Sequence, residues 1–395
     1  KQEISPEQNS EPVTEIPNEG TQEDTQQTAN ISTDGYELVQ VFHTQLPAMV
    51  QSSIRYHQYP IHYDYLLVTK QAIHIREKPT TASKILRKAY HYEKLNLIEE
   101  VKGEYLKEYN QDRWYKVFWN QNGMTHYGYV LSPLGEPRRF QFDKMEKALN
   151  ILKGEVESHQ TGYIANYKDR SGSAPLCNGK EFDPYGERRY QSAPAYFQAD
   201  VKSDFRYIAD GVLVSILEES PNFYKIRTLN FEGEYWVPKK YVSLNHSLKQ
   251  LNQAIVIDRK NQNQGTFEYK DGKWHLISYT FATTGQKAKY KQETPLGYYM
   301  AIEKKPQFLY LSDTTKKIAG YAPYAIRFTG GAYVHGVPVD YKNVNGKLVD
   351  PGMREYSPTI GTVPLSHKCV RNYTSHAKFL YDWIRIGESS VIVIE

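Results

Sequence analysis

The chain has 395 residues, a formal net charge of +4, 34 tyrosines and two cysteines, Cys177 and Cys369. This length suffices for about two to four domains, and so few cysteines exclude a disulfide framework as the basis of the fold. No apolar run approaches the roughly 20 residues that a membrane-spanning helix requires.

The first 35 residues differ from the rest of the chain in composition. They contain eight acidic residues, one lysine and no aromatic residue, which leaves a formal charge of about +11 on residues 36–395. Such a segment buries too little apolar surface to offset its ordering entropy, so residues 1–35 are predicted to form a disordered tether. It lacks an initiating methionine and a signal-peptide core, and we expect that an export or anchor segment has been removed. The cationic remainder favours an anionic partner.

Short strands separated by polar turns predict two small barrels. The first covers residues 65–137, after a lead-in at residues 36–64 to which the sequence assigns no role. A similar order of strands returns over residues 186–246. The matched stretches are residues 97–100 with 216–219 and residues 114–117 with 223–226. A repeated supersecondary unit with short strands is typical of small barrels.

Residues 138–185, between the two units, are predicted to form a helix followed by a loop. The helix has apolar residues at helical spacing: Phe142, Met145, Leu149 and Leu152. Gly154 follows them as a stop signal. Residues 160–187, including Cys177, are expected to be loop.

The residues that carry chemistry lie in the last third of the chain. Cys369 lies between His367 and Arg371 and next to Lys368, and His335 comes from an earlier strand. A deprotonated thiol is an acyl-transfer nucleophile, an imidazole can take its proton, and cationic neighbours are expected to favour the thiolate. On a strand, His367 and Cys369 would face one side and Lys368 the other. A buried, inert cysteine remains an alternative from these residues alone.

A helix is predicted shortly after the cysteine. Its apolar residues are Ala377, Leu380, Tyr381 and Ile384. Thr374 or Ser375 is the expected cap. Backbone N–H groups at the start of this helix are expected to face an oxyanion that develops near Cys369.

Residues 250–395 resemble the L,D-transpeptidase catalytic domain, also called the YkuD domain. That family shows a Thr-Pro-x-Gly turn, an upstream His-Gly, a Ser-His-Gly-Cys-hydrophobic-Arg segment and a terminal apolar strand. This sequence has the corresponding segments in the same order, at residues 294–297, 335–336, 366–371 and 391–394. The two repeats resemble bacterial SH3-like domains. The resemblance implies a mainly β fold with two small SH3-like barrels followed by a β-rich YkuD-type catalytic domain.

The resemblance also implies roles for single residues. Cys369 matches the nucleophile, and His335 matches the general base, oriented by the backbone carbonyl of Gly336. Ser366 and His367 match residues that shape the loop, and backbone N–H groups near Lys368 and Cys369 would form an oxyanion hole. Arg371 matches a position that supports the loop or meets a substrate carboxylate. The candidate substrate-binding residues are Tyr324, Phe328 and Tyr333. No metal or cofactor is expected.

The implied substrates are peptidoglycan stem peptides, in the bacterial cell envelope. Cys369 would attack the carbonyl of the third stem residue, expel the terminal D-alanine and form a thioester, which an amine of a second stem would convert into a 3→3 cross-link. Water as acceptor would make the protein an L,D-carboxypeptidase, and an amine of an envelope protein would make it an anchoring enzyme. No nucleic acid is expected as a partner. Contact with the membrane is expected only through an anchor segment that has been removed.

Two departures from the family pattern leave alternatives open. Lys368 replaces the family's glycine, which serves a positive φ or close substrate approach. It is compatible with a changed acceptor, or with a non-catalytic protein that binds cell wall through its SH3-like domains. The segment 340–360 is longer than usual, either as a lid or substrate-shaping loop or as an inert surface insertion. The SH3-like domains either bind wall peptides or act as spacers. A papain-like cysteine peptidase is a third class, disfavoured by the order of the motifs.

Overall fold

The computed structural model describes residues 31–289, 291–312 and 314–395. Nearly all of the tether predicted for residues 1–35 lies outside the described residues. The strands that precede the first helix are β1 (Leu38–Val41), β2 (Val50–Ser52), β3 (Asp64–Val68), β4 (Ala72–Arg76), β5 (Ile85–Tyr90), β6 (Lys94–Leu106), β7 (Gln111–Gln121), β8 (Met124–Leu131) and β9 (Gly135–Arg139).

Sheet I contains eight of these strands, in the order β5-β4-β8-β7-β6-β3-β9 with β1 paired to β6. The period-two alternation of β6 decides which face is buried, because every second residue from Leu95 to Val101 points inward. Its core is formed by side chains of sheet I itself, among them Leu66, Ile75 and Val117. The lead-in joins two sheets, since β1 belongs to sheet I and β2 pairs with a strand further along the chain.

Helix α1 (Phe142–Ser158) confirms the predicted apolar face but not the predicted end. Its four predicted apolar residues are buried. The stop at Gly154 is wrong, because the helix continues for another turn and buries Val156 before it ends at the next strand. The loop predicted from residue 160 is also wrong at its start, where β10 (Gln160–Ile164) forms.

Sheet II has seven strands, in the order β12-β11-β15-β14-β13-β10-β16. After β10, its strands are β11 (Ser192–Tyr196), β12 (Phe205–Ala209), β13 (Leu213–Glu219), β14 (Phe223–Arg227), β15 (Glu234–Pro238) and β16 (Val242–Ser243). The predicted start at residue 186 misses β10, whose partners β13 and β16 come from later in the chain. Assignment of sheets I and II to the SH3-like class stays a prediction.

The carboxy-terminal region completes the mainly β fold, which is confirmed. Its elements are β17 (Gln253–Asp258), β18 (Asn263–Lys270), β19 (Lys273–Phe281), β20 (Gly297–Met300), β21 (Glu303–Leu311), β22 (Ile318–Thr329), β23 (Ala332–His335), β24 (Val339–Asp340), β25 (Lys342–Val344), β26 (Lys347–Val349), β27 (Val370–Arg371), α2 (Thr374–Trp383) and β28 (Ser389–Ile394). Sheet III has the order β2-β19-β18-β17-β28-β20. Sheet IV has the order β21-β22-β23-β27 with β24 paired to β22, and β25 and β26 form a separate hairpin.

Sheet II and the carboxy-terminal region share one hydrophobic core. Ile226 and Val237 of sheet II belong to the same buried cluster as Ile255, Phe328 and Val391. Burial of this kind is the main favourable term in folding, so the two parts are expected to unfold together. Within the described part of the chain, no helix has the length and apolar character needed to cross a membrane.

Candidate active site

Two short parallel strands bring the predicted nucleophile and base together. β23 and β27 pair with Val334 opposite Val370 and His335 opposite Arg371. The backbone N–H of Asn372 also donates to the His335 carbonyl oxygen at 2.8 Å. His335 at the end of β23 and Cys369 just before β27 therefore lie at one sheet edge, although many residues separate them in the chain.

A cavity of about 570 Å³ opens at this edge and is called the first cavity. Five of the residues singled out by the sequence line it: His335, Ser366, His367, Cys369 and Arg371. Its other walls include Phe308 and Tyr310 from β21, which sequence reasoning missed. No motif marks these two residues, because their place depends on how β21 pairs with β22.

The imidazole of His335 is held in one orientation. Its Nδ1 donates to the Gly336 carbonyl oxygen at 2.6 Å, as the resemblance implied, so Nε2 is the nitrogen left to accept a proton. Glycine is required next to it because a Cβ on Gly336 would lie 2.9 Å from both Pro323 and Thr374. Burial lowers the pKa of His335 to about 4, so the ring is neutral at pH 7.

The thiol of Cys369 is almost enclosed, with 8% of the residue exposed. Its Sγ lies 3.8 Å from the carbonyl oxygen of Gly331, and the backbone N–H of Tyr333 donates to it. Burial raises the pKa of the Cys369 thiol, and the nearby charges of Arg371 and Lys368 offset only part of that effect. The cationic neighbours favour the thiolate, as predicted, but burial outweighs them and keeps the pKa of the thiol above its ordinary value. Cys369 and His335 thus both line the first cavity in their neutral forms.

The Thr-Pro-x-Gly motif holds the loop that carries the cysteine. The hydroxyl of Thr294 donates to the Lys368 carbonyl oxygen at 3.0 Å and accepts from the Gly285 N–H at 2.8 Å. Ser366 adds a second restraint by donating its hydroxyl proton to the Cys369 carbonyl oxygen. Lys368 takes the left-handed conformation, with φ of 73°, that glycine would occupy in the family pattern. The loop keeps this conformation in spite of the substitution.

Arg371 supports the loop through its backbone and also faces the first cavity. Its N–H and carbonyl bond to Thr283 at 2.9 and 3.0 Å. Its side chain lines the cavity, where burial lowers the pKa of the guanidinium group. Both predicted roles, loop support and contact with a substrate carboxylate, are compatible with this placement.

The predicted aromatic substrate contacts need correction. Phe328 is completely buried in the core shared with sheet II, where it packs on Tyr299, so it cannot meet a ligand. Tyr324 lies near Tyr381 and does not line the first cavity. Tyr333 is also fully buried and contributes its backbone N–H to the site rather than its ring.

The insertion at residues 340–360 forms part of the first cavity. Asp340, Arg354, Ser357 and Ile360 line it, so the interpretation as a substrate-shaping loop is favoured over an inert surface insertion. Its length was the only signal in the sequence, and the residues that reach the cavity were not identified from it.

Helix α2 does not point free N–H groups at the site. Its cap is Tyr373 rather than Thr374 or Ser375. The Ser375 N–H donates to a Glu355 carboxylate oxygen at 2.8 Å, and the Thr374 hydroxyl donates to the Arg354 carbonyl oxygen at 2.6 Å. The carboxylate of Glu355 therefore occupies this helix terminus, and the expectation that it serves an oxyanion is wrong. The N–H groups near Lys368 and Cys369 remain the predicted oxyanion donors.

A buried ion pair fixes sheet II to the turn beside the thiol. Asp210, which follows β12, accepts hydrogen bonds from Arg327 Nη1 at 2.6 Å and from the Gly330 N–H at 3.0 Å. Its carbonyl oxygen accepts from the Thr329 hydroxyl at 2.6 Å. The same turn continues to Gly331, whose carbonyl oxygen faces the Cys369 sulfur. Sheet II thus contacts the turn that lies against the Cys369 sulfur.

A second cavity of about 860 Å³ lies between sheet II and the carboxy-terminal region. Lys368 lines this second cavity, whereas Cys369 lines the first. Lys368 and Cys369 thus line different cavities, but residues 367–369 do not form the strand on which the predicted alternation rested. Gly331 and His367 line both cavities, so the two spaces meet at residues 366–369, which are called the nucleophile loop after the predicted role of Cys369.

Comparison with known proteins gives one family match. A family model described as the L,D-transpeptidase catalytic domain, YkuD, matches residues 252–393. No curated protein sequence matches the chain. The chain carries a YkuD-type L,D-transpeptidase catalytic domain over these residues.

Solved structures match parts of the chain at low identity. A fused Zn-dependent amidase/peptidase/peptidoglycan-binding-domain protein from Clostridium acetobutylicum is 19% identical, with 36% of this chain and 52% of that chain covered and a TM-score of 0.25. An L,D-transpeptidase from Mycobacterium smegmatis is 20% identical, with 46% and 82% covered and a TM-score of 0.29. One from Mycobacterium tuberculosis is 18% identical, with 47% and 92% covered and a TM-score of 0.27. The chain spans about half the length of the Clostridium protein.

Proposed function

We propose that the protein is a peptidoglycan L,D-transpeptidase that forms 3→3 cross-links through a thioester on Cys369. One observation carries the proposal: within the matched domain, Cys369 and a neutral, oriented His335 face the same cavity from paired strands. A nucleophile and an oriented base in one partly closed cleft are the essential parts of acyl transfer by a cysteine.

The first half-reaction acylates Cys369. His335 Nε2 accepts the thiol proton while the sulfur attacks the carbonyl carbon of the third stem residue. Backbone N–H groups near Lys368 and Cys369 stabilise the oxyanion. The tetrahedral intermediate collapses, the bond to the terminal D-alanine breaks, and the leaving amine takes the proton back from His335. A buried neutral imidazole suits this exchange, because it can accept a proton and return it.

The second half-reaction transfers the acyl group to an amine. The amine nitrogen attacks the thioester carbonyl, the carbon–sulfur bond breaks, and the proton released by the amine restores the thiol by way of His335. The small exposure of Cys369 favours a bound amine over bulk water as acceptor. Hydrolysis by an L,D-carboxypeptidase, or transfer to an envelope protein, uses the same thioester and differs only in the acceptor.

The competing proposal is a non-catalytic wall-binding protein, for which Lys368 was the main argument. The lysine keeps the glycine-like conformation, and its carbonyl oxygen keeps the bond from Thr294. These contacts support a loop competent for catalysis. Stem peptides as partners and a place in the bacterial cell envelope, outside the cytoplasm, follow from the same family match and are part of the proposal.

Product analysis with tetrapeptide stems tests the proposal. Wild-type protein is expected to release the terminal residue and to accumulate dimeric stems, and Cys369→Ala to do neither. Trimmed monomers without dimers would assign the protein as a carboxypeptidase. Binding of stems without any release of the terminal residue would overturn the enzymatic proposal.

A further inference from the structure

Lys368 lines the second cavity, where the carboxylates of Glu187 and Asp210 act on its ammonium group only through charge. No hydrogen bond or ion pair joins its ammonium group to residues 31–289, 291–312 or 314–395. At φ of 73° a side chain is strained where glycine is not. Strain that persists without an internal contact to compensate for it points to a contact made with a ligand.

The second cavity carries more positive than negative side chains. The cationic residues that line it are Arg188, Arg259, Lys287, Lys291 and Lys368. The acidic residues are Glu187, Asp210 and Glu293. Asp210 already forms an ion pair with Arg327, and Arg259 forms one with Glu395 at 2.9 Å. The remaining excess of positive charge favours a ligand with an anionic group. A lysine ammonium group can bind a carboxylate through a charge-assisted hydrogen bond.

Sheet II supplies one wall of this cavity. Arg188, Gln191 and Ser192 come from the segment that leads into β11, and Asp210 follows β12. The opposite wall comes from the turn at residues 329–331 and from the nucleophile loop. A ligand held here approaches the thioester from the side opposite the first cavity, because Gly331 and His367 border both spaces.

We propose that the second cavity binds an acyl acceptor that bears both an amine and a carboxylate, and that Lys368 binds the carboxylate. This inference rests on the proposed function. With the carboxylate on Lys368, the amine is directed to the neighbouring thioester on Cys369. It attacks the carbonyl carbon, the carbon–sulfur bond breaks, and the amine proton passes through His335 to the thiol. The side chain of Lys368 then determines which amine is accepted.

The test compares two acceptors that differ only in charge, Nα-acetyl-lysine and Nα-acetyl-lysinamide. Both offer the same side-chain amine, and only the first has a carboxylate. After acylation by a tetrapeptide donor, wild-type protein is expected to use the carboxylate acceptor with a kcat/KM about tenfold higher, as one charge-assisted hydrogen bond implies. Lys368→Met should remove the preference and Lys368→Arg should retain it.

Arg188→Ala provides a second variant outside the nucleophile loop, and it should reduce the preference about threefold through the lost field of one charge. Lys273→Met is the matched control, since Lys273 is an exposed lysine in β19 and does not line the cavity. It should leave the preference unchanged. Equal use of both acceptors by wild-type protein, or an unchanged preference in Lys368→Met, would overturn the inference.

Donor acylation without acceptor separates this inference from the proposed function. Absence of a Cys369 adduct refutes the proposed function, and the cavity is then tested by titrating Cys369→Ala with each acceptor. Tighter binding of Nα-acetyl-lysine, lost in Cys369→Ala/Lys368→Met, supports a carboxylate site in either case. Normal acylation with no discrimination between acceptors refutes only the role of Lys368.

Discussion

Sheets I and II have a similar order of strands in the sequence but join the catalytic domain in different ways. The core of sheet I is its own, with Leu66, Ile75 and Val117 packed among residues of the same sheet. The core of sheet II is continuous with the catalytic domain, and Asp210 forms a buried ion pair with Arg327. Sheet I is therefore an attached unit, whereas sheet II is part of the structure that holds the loop with Cys369.

The attachment of sheet I is confined to one edge. Tyr65 donates its hydroxyl proton to the Asn261 carbonyl oxygen at 2.6 Å, and Arg138 donates to the carbonyl oxygen of Thr362. Tyr65 and Phe140 add aromatic contacts with Phe281. None of these contacts reaches the turn at residues 329–331. The two similar units thus differ in how they contact the catalytic domain.

Gly211→Ala should give the largest effect. Gly211 has φ of 86°, and a Cβ there would lie 1.9 Å from the Phe328 carbonyl oxygen. The clash would force sheet II away from the catalytic domain and lower the free energy of unfolding by about 3 kcal/mol or more. Chemical denaturation measures it. Gly123→Ala in sheet I is the control, because φ is 76° and nothing lies within 4 Å of the added Cβ. It should cost only about 1 kcal/mol. Equal losses would mean that the docking of sheet II is not tight.

Asp210→Asn should give the second largest effect. It removes the buried carboxylate that accepts from Arg327 and from the Gly330 N–H, and leaves Glu303 as the remaining partner of Arg327. The lost charge-assisted hydrogen bonds should cost about 2 kcal/mol and loosen the turn that contacts Cys369. The rate of donor acylation should fall at least about tenfold, because small displacements of reacting groups are costly. Glu155→Gln is the control, since Glu155 pairs with Arg227 on the helix side of sheet II, away from the turn. It should leave acylation unchanged, and a similar loss in both variants would contradict the positioning role of Asp210.

The loss of stability at acid pH should come mainly from buried histidines of the catalytic domain. The pKa of His335 is lowered to about 4 in the folded state, below the unfolded value, so folding favours the neutral ring. The free energy of unfolding therefore has its full value above about pH 6.5 and decreases as the pH falls towards 4. The decrease due to His335 should be about 2 to 3 kcal/mol between pH 7 and pH 4.5. His376, also buried, has its pKa lowered to about 3 and adds to the same slope.

Urea unfolding at pH 7 and pH 4.5 measures this loss. His335→Gln should lose less stability between the two pH values than wild-type protein does, by about 2 kcal/mol. An identical loss in both proteins would show that the His335 ring is not buried in its neutral form.

Tyr65→Phe should give the smallest effect. It removes the bonds of the hydroxyl to Asn261 and Asn263 and should cost about 1 kcal/mol. Acylation should not change, because this edge does not reach the nucleophile. Tyr90→Phe, at an exposed tyrosine of sheet I, should have no measurable effect on stability. Slower acylation by Tyr65→Phe would contradict the contrast between the two sheets.

The sequence predicted the candidate pair Cys369 and His335 but not the residues that surround it. Cys369 and His335 were identifiable because ordered motifs flank them. Their proximity depends on the pairing of β23 with β27, which no local pattern encodes. Phe328 was misassigned because an aromatic residue beside a motif looks the same in sequence whether it faces a ligand or a core. The spacing of the apolar residues predicted the buried face of α1. It did not predict where the helix ends, because the burial of Val156 outweighed the stop signal of Gly154.

The central claim is that Cys369 attacks the stem with His335 as its base, and localisation of the acyl group tests it most directly. Protein is incubated with a tetrapeptide stem without acceptor, quenched in acid and digested, and the fragments are analysed by mass spectrometry. A tripeptide acyl group is expected on the fragment that contains Cys369, formed at least about 100-fold more slowly in His335→Asn. An acyl group on another residue, or full-rate acylation in His335→Asn, would contradict it.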